Sequence, residues 1–215
     1  MAALRPRLRG HIHSWSFLVT MVAGAALIAL AATTVSGLAA LTASVYVATV
    51  LGMFGVSALY HRKVWANYQV YTWMKRLDHS MIFLFIAGTY TPFTLLAMPQ
   101  PTGWIVFGVV WGGAISGVVL KLFWPAAPRW LGVLVYNLVG WVAVFVLPEL
   151  LDNVGVAALV LLLVGGALYT TGAVMYAMRK PTLWPKVFGY HEMFHAFVAA
   201  AALCHMIAIW LAILA

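Results

Sequence analysis

Two histidines, His191 and His195, stand four residues apart at the start of the last apolar stretch, in Gly189-Tyr190-His191-Glu192-Met193-Phe194-His195. On a helix, residues at i and i+4 lie one turn apart on the same face. Both imidazoles can therefore reach a single metal ion. His191-Glu192-Met193-Phe194-His195 also fits the HExxH pattern of zinc proteases, in which the glutamate is the general base. Two imidazoles and a carboxylate leading into the apolar run Ala196–Leu203 call for a partner, because ionisable groups are expensive in lipid.

The elements that must position them follow from composition. Of 215 residues, 65% are hydrophobic and 7% charged, with mean hydropathy +1.01, which excludes a soluble domain and points to a polytopic membrane protein. Seven apolar segments are long enough to cross a bilayer, which takes about 20 residues. They run near Ser14–Thr34, Leu38–Tyr60, Leu77–Ala97, Gly103–Phe123, Trp130–Leu150, Gly155–Met178 and Tyr190–Leu214. Ten-residue alternating segments are absent, which argues against a barrel. The expectation is an all-α membrane protein, one seven-helix transmembrane domain over residues 1–215. Arg5, Arg7 and Arg9 before an apolar run resemble a signal peptide, but the run exceeds an h-region and reads as a retained anchor. The single cysteine, Cys204, rules out an internal disulfide.

Charge bias sets the orientation. All 12 basic residues fall at the N-terminus or in the connections after the second, fourth and sixth segments: Arg5, Arg7, Arg9; Arg62, Lys63, Lys75, Arg76; Lys121, Arg129; Arg179, Lys180, Lys186. The opposite connections hold Glu149 and Asp152. By the positive-inside rule the N-terminus is cytoplasmic and the C-terminus outside, in the inner (plasma) membrane. The net charge of +8 then reports topology and not a nucleic-acid partner. Trp15, Trp65, Trp73, Trp124, Trp130 and Trp184 mark the inner boundary, with Trp104 and Trp210 toward the outer one. Gly88 and Pro92 are expected to bend the third segment.

Given this topology, three distant segments deliver polar groups to one leaflet. His61 closes the second segment, with Ser57 one turn before it; Asp78 opens the third; His191 and His195 open the seventh. Three neutral imidazoles plus water make a zinc site of the catalytic type, its fourth position open. His61, His191 and His195 are the expected metal ligands, Asp78 the partner of the bound water and Ser57 its support. Asp78 as an N-terminal helix cap is the competing reading. Glu192 is the alternative base, ranked behind Asp78, or a residue that favours the helix N-terminus electrostatically. His205 lies about 21 Å beyond His191 at 1.5 Å per residue, too far to share an ion, and is expected to hydrogen-bond within the bundle. His11 and His13 read as surface residues, although either can approach the site. Asn137, Tyr169 and Thr170 read as contacts between helices.

Ser57-Ala58-Leu59-Tyr60-His61, Leu77-Asp78-His79-Ser80 with Ala87-Gly88-Thr89-Tyr90-Thr91-Pro92, and Gly189-Tyr190-His191-Glu192-Met193-Phe194-His195 resemble the signatures of the bacterial hemolysin III family, related to the progestin and adipoQ receptors. The similarity covers nearly the whole chain, and no motif position departs from the pattern. The resemblance implies seven helices with the N-terminus inside and a zinc ion held at His61, His191 and His195, with Asp78 and Ser57 at the water. Alkaline ceramidases carry comparable sites, which implies hydrolysis of a lipid amide.

The leading expectation is thus a zinc-dependent hydrolase of a lipid amide or ester at the cytoplasmic leaflet, acting on a membrane lipid whose acyl chain lies in the bundle. A non-enzymatic regulator of membrane fluidity or energetics, with structural zinc, is the second class. A pore-forming cytolysin is the third, and is disfavoured because the polar residues gather at one leaflet.

Overall fold

The computed structural model describes residues 6–124 and 126–214, with Arg129 described in its backbone only. Arg5, counted above in the charge bias, lies outside the described residues. The elements are α1 (His11–Leu30), α2 (Gly37–Arg62), α3 (Tyr68–Pro92), α4 (Thr102–Phe123), α5 (Arg129–Gly140), α6 (Leu147–Met178) and α7 (Tyr190–Leu214). Wider helical turns extend α1 through Ala31–Val35 and α3 through Phe93–Ala97, and a tighter turn, Trp141–Val146, joins α5 to α6. Among the described residues there is no β-strand.

Six helical stretches are long and apolar enough to cross a membrane. The outer surface carries Val19, Val22, Leu41, Ile105, Val109, Phe145 and Val156, all exposed. A surface so apolar fits a hydrocarbon solvent, in which helices alone satisfy their own backbone groups. α3 is the central helix: 61% of its most apolar window is buried, against at most 44% elsewhere. Its own Phe83 is fully buried, as are Phe54 of α2, Leu150 of α6 and Ile209 of α7.

The sequence separates a fifth and a sixth segment; the structure runs them together as Trp130–Met178, 49 residues. The polar residues Glu149, Asp152 and Asn153 lie at their junction, yet Leu151 to Val154 stay helical. The break is one residue, Gly155, at φ 75 and ψ 169, a backbone conformation that favours glycine. Contacts across it run antiparallel. Thr170 donates to Asn137 Oδ1 at 3.0 Å and accepts from Trp141 Nε1 at 2.9 Å, so residues about equally far from Gly155 meet. These are the contacts between helices that the sequence suggested for Asn137 and Thr170.

Two helix starts also move. α1 begins at His11 and not Ser14. α3 begins at Tyr68 and not Leu77, because Asn67 caps it, its side chain accepting from the Gln69 and Val70 N–H groups. Asp78 therefore sits ten residues inside α3 and caps nothing. Beyond Pro92, which has no N–H to donate, the helix widens into the Phe93–Ala97 turn. Gly88 has a different job from bending: a Cβ there would collide with the Thr49 side chain, so it lets α2 and α3 touch.

Candidate metal centre

The last turn of α2 and the first two turns of α7 meet at one end of the bundle. His61, His191 and His195 each offer a ring nitrogen there, all within 4.8 Å of one another. The rings form a near-equilateral triangle, with centroid separations of 4.7 Å (His61–His191), 5.0 Å (His61–His195) and 4.7 Å (His191–His195). His191 Nε2 and His61 Nε2 approach to 3.1 Å, one of the two donating. Ligand nitrogens about 2 Å from a common ion stand a little over 3 Å apart, so a pair this close has room for one. His61 and His195 are buried. Three converging imidazoles, two buried and one half-buried, without a carboxylate between them make a donor set suited to a divalent metal ion.

α3 brings Asp78 against this cluster. Its Oδ2 lies 3.9 Å from His61 Nε2 and 3.5 Å from His79 Nδ1, and the side chain is 12% exposed. The buried Ser57 hydroxyl is turned toward the same carboxylate.

Glu192 is placed differently. It is fully buried, and its Oε2 accepts from the Gly189 N–H at 2.9 Å, the reach-back half of a capping box at the start of α7. Its Oε1 accepts from Arg9 Nε. Both oxygens thus serve the helix terminus, as the electrostatic alternative for this residue anticipates.

Two contributors come from before the first apolar run: His13, whose approach to the site was the lesser alternative in the sequence, and Arg9, which the sequence did not single out for the site. His13 is buried and not on the surface: its ring stacks on His195 at 3.9 Å between centroids and 11° between planes. The signal that could have found it is a helix beginning at His11, which carries His13 inward by half a turn. Arg9 belongs to a short strap in which the Arg7 N–H donates to Lys186 O and the Leu8 N–H to Val187 O, at 3.0 and 3.2 Å. The strap ends at Gly10, φ 79, where a Cβ would stand 3.0 Å from His61 Cβ and 2.8 Å from Arg62 Cγ. Only glycine suits both that backbone and that approach. His205 is distant from the cluster, its Nε2 within 3.2 Å of Leu162 O on α6, which is the bundle hydrogen bond expected of it.

A cavity of about 880 Å³ opens beside the cluster and runs into the bundle. His61, Asp78, His191 and His195 line one end, while Trp141, Gly166, Tyr169 and His205 line the other.

A bundle of apolar helices with three convergent imidazoles at one end defines an integral, multi-pass membrane protein with a candidate metal centre. The chain belongs to the haemolysin-III related family, whose signature matches residues 1–206. It is similar to "Hemolysin-3" of Bacillus cereus, 38% identical over 122 residues, which is 57% of this chain and 53% of that protein. It is also similar to "Hemolysin-3 homolog" of Bacillus subtilis (strain 168), 34% identical over 57% of this chain and 54% of that one. The human "Monocyte to macrophage differentiation factor" is 25% identical over 173 residues, 79% of this chain and 69% of its own length. The chain spans about half the length of the two bacterial relatives in these matches.

Proposed function

We propose that the chain is a zinc-dependent hydrolase of a lipid amide or ester, crossing the membrane seven times with its N-terminus and its metal centre on the cytoplasmic side. The observation that carries this reading is the triangle of His61, His191 and His195 at the mouth of a cavity deep enough for an acyl chain. The antiparallel contacts across Gly155 support the seventh crossing, and the run of basic residues at the ends bearing the cluster supports the orientation.

His61, His191 and His195 would hold the zinc ion. The chemistry such an ion supplies when bound is polarisation of a carbonyl and a lowered pKa, about 7, for water. Asp78 stands where it can accept the proton that the attacking water gives up and pass it to the leaving amine or alcohol. Ser57 orients Asp78. The cavity walls at Phe83, Phe85, Ile86 and Val198 hold the acyl chain and exclude water from it.

Purified protein incubated with ceramide-like and phospholipid substrates should release fatty acid, and His195→Ala should abolish the release. Turnover no greater than that of the variant, together with a metal-dependent rise in thermal stability, would favour a structural ion and a non-enzymatic role.

A further inference from the structure

The mouth of the cavity is strongly unbalanced in charge. Among its described lining residues are four cations, Arg9, Lys75, Arg76 and Lys121, and one carboxylate, Asp78. Arg9 is paired with Glu192 and Asp78 faces histidines. No carboxylate lies within ion-pair distance of Lys75, Arg76 or Lys121 among the described residues. Lys75 on α3 and Lys121 at the end of α4 are close enough for their charges to repel. Arg76 lies over the Trp73 ring at 4.7 Å and donates through one terminal nitrogen to Leu122 O at 3.3 Å. Its Nε is buried and has no partner.

The positive-inside rule accounts for basic residues at this end of the bundle, but not for their convergence on one opening. Lys180 and Lys186 obey the same rule, are exposed, and do not line the cavity. Like charges gathered at one opening without a carboxylate partner favour an anion with several acceptor oxygens.

We propose that Lys75, Arg76 and Lys121 form a phosphate site at the cavity mouth, so that the ligand of the metal centre is a phosphate-bearing acyl lipid. This rests on the reading of the site as one for a lipid. The spacing suits it: Lys75 precedes Asp78 by one helical turn, about 4.5 Å along the axis. A phosphate at the lysines therefore stands a few bonds from a carbonyl placed at the histidines. That is the separation found in lipids whose phosphate is close to an acyl linkage.

The test is equilibrium binding to the full chain in nonionic detergent micelles, titrated by native mass spectrometry. The probes are a single-chain lysophosphatidate, the monoacylglycerol of the same chain, and inorganic phosphate. The lysophosphatidate should bind at least about tenfold more tightly than the monoacylglycerol, the value of one or two charge-assisted hydrogen bonds. Lys75→Gln with Lys121→Gln should remove the preference, and Lys180→Gln with Lys186→Gln should keep it. Metal-stripped protein and the His195→Ala variant should keep it too, so the result stands whether or not the chain hydrolyses anything. Equal affinity for the two lipids, or equal loss in both double variants, would overturn the site. Binding of inorganic phosphate alone would overturn the headgroup assignment.

Discussion

Arg9 and Glu192, 183 residues apart, form an ion pair that fastens the N-terminal strap to the first turn of α7, with the carboxylate fully buried. Removing one partner of a buried pair leaves an uncompensated charge, which costs about 3–5 kcal/mol. Arg9→Ala should therefore lower the melting temperature in detergent by several degrees. Glu192→Gln should do less harm, since the amide oxygen can still accept from Gly189. An unchanged melting curve for Arg9→Ala would show that the strap holds nothing.

His13 reaches the candidate metal centre through its stack on His195. The stacked ring fixes the plane of the ligand without supplying one, and groups that orient ligands alter metal affinity about 10–100-fold. His13→Ala should weaken zinc binding by roughly tenfold in a chelator competition. His13→Phe keeps the stack and should restore most of it. Failure of the phenylalanine to rescue would mean that His13 acts through its nitrogens.

Asp78 is assigned the proton transfer and not the metal. Asp78→Asn should reduce fatty-acid release by about 100-fold or more while zinc content stays at the wild-type level. Loss of the metal in this variant would move Asp78 into the ligand set.

The contact of α2 with α3 depends on a missing side chain. Gly88→Ala forces a methyl into Thr49 and should destabilise the protein by about 1–3 kcal/mol, as overpacking does. Thr49→Ala in the same chain removes the obstacle and should recover most of that loss. Additive losses in the double variant would place the strain elsewhere.

The three histidines were legible in the sequence because each stands near the end of a long apolar run, and counting the runs brings those ends to one end of the bundle. The i,i+4 spacing of His191 and His195 did the rest. The polar approach to α3 was not legible as helix, since Tyr68 to Arg76 carries no apolar period and only the Asn67 cap marks its start. That is why a helix cap could stand as the competing reading of Asp78, which is an interior residue of α3 in the fold. The roles of His13 and Arg9 were harder to read: they come from packing against His195 and Glu192 on α7, which no local pattern encodes. The boundary at Gly155 was legible from the polar Asp152 and Asn153 before it, but polarity does not tell that Leu151 to Val154 stay helical and that the break is one residue.

Elemental analysis of the purified chain tests the central claim most directly. The account predicts one zinc ion per chain in the wild type, and loss of most of it in each of His61→Ala, His191→Ala and His195→Ala, with the helical content of all three retained. A wild-type protein free of metal after purification and zinc reconstitution, or a His61→Ala variant that holds zinc as tightly as the wild type, would contradict it.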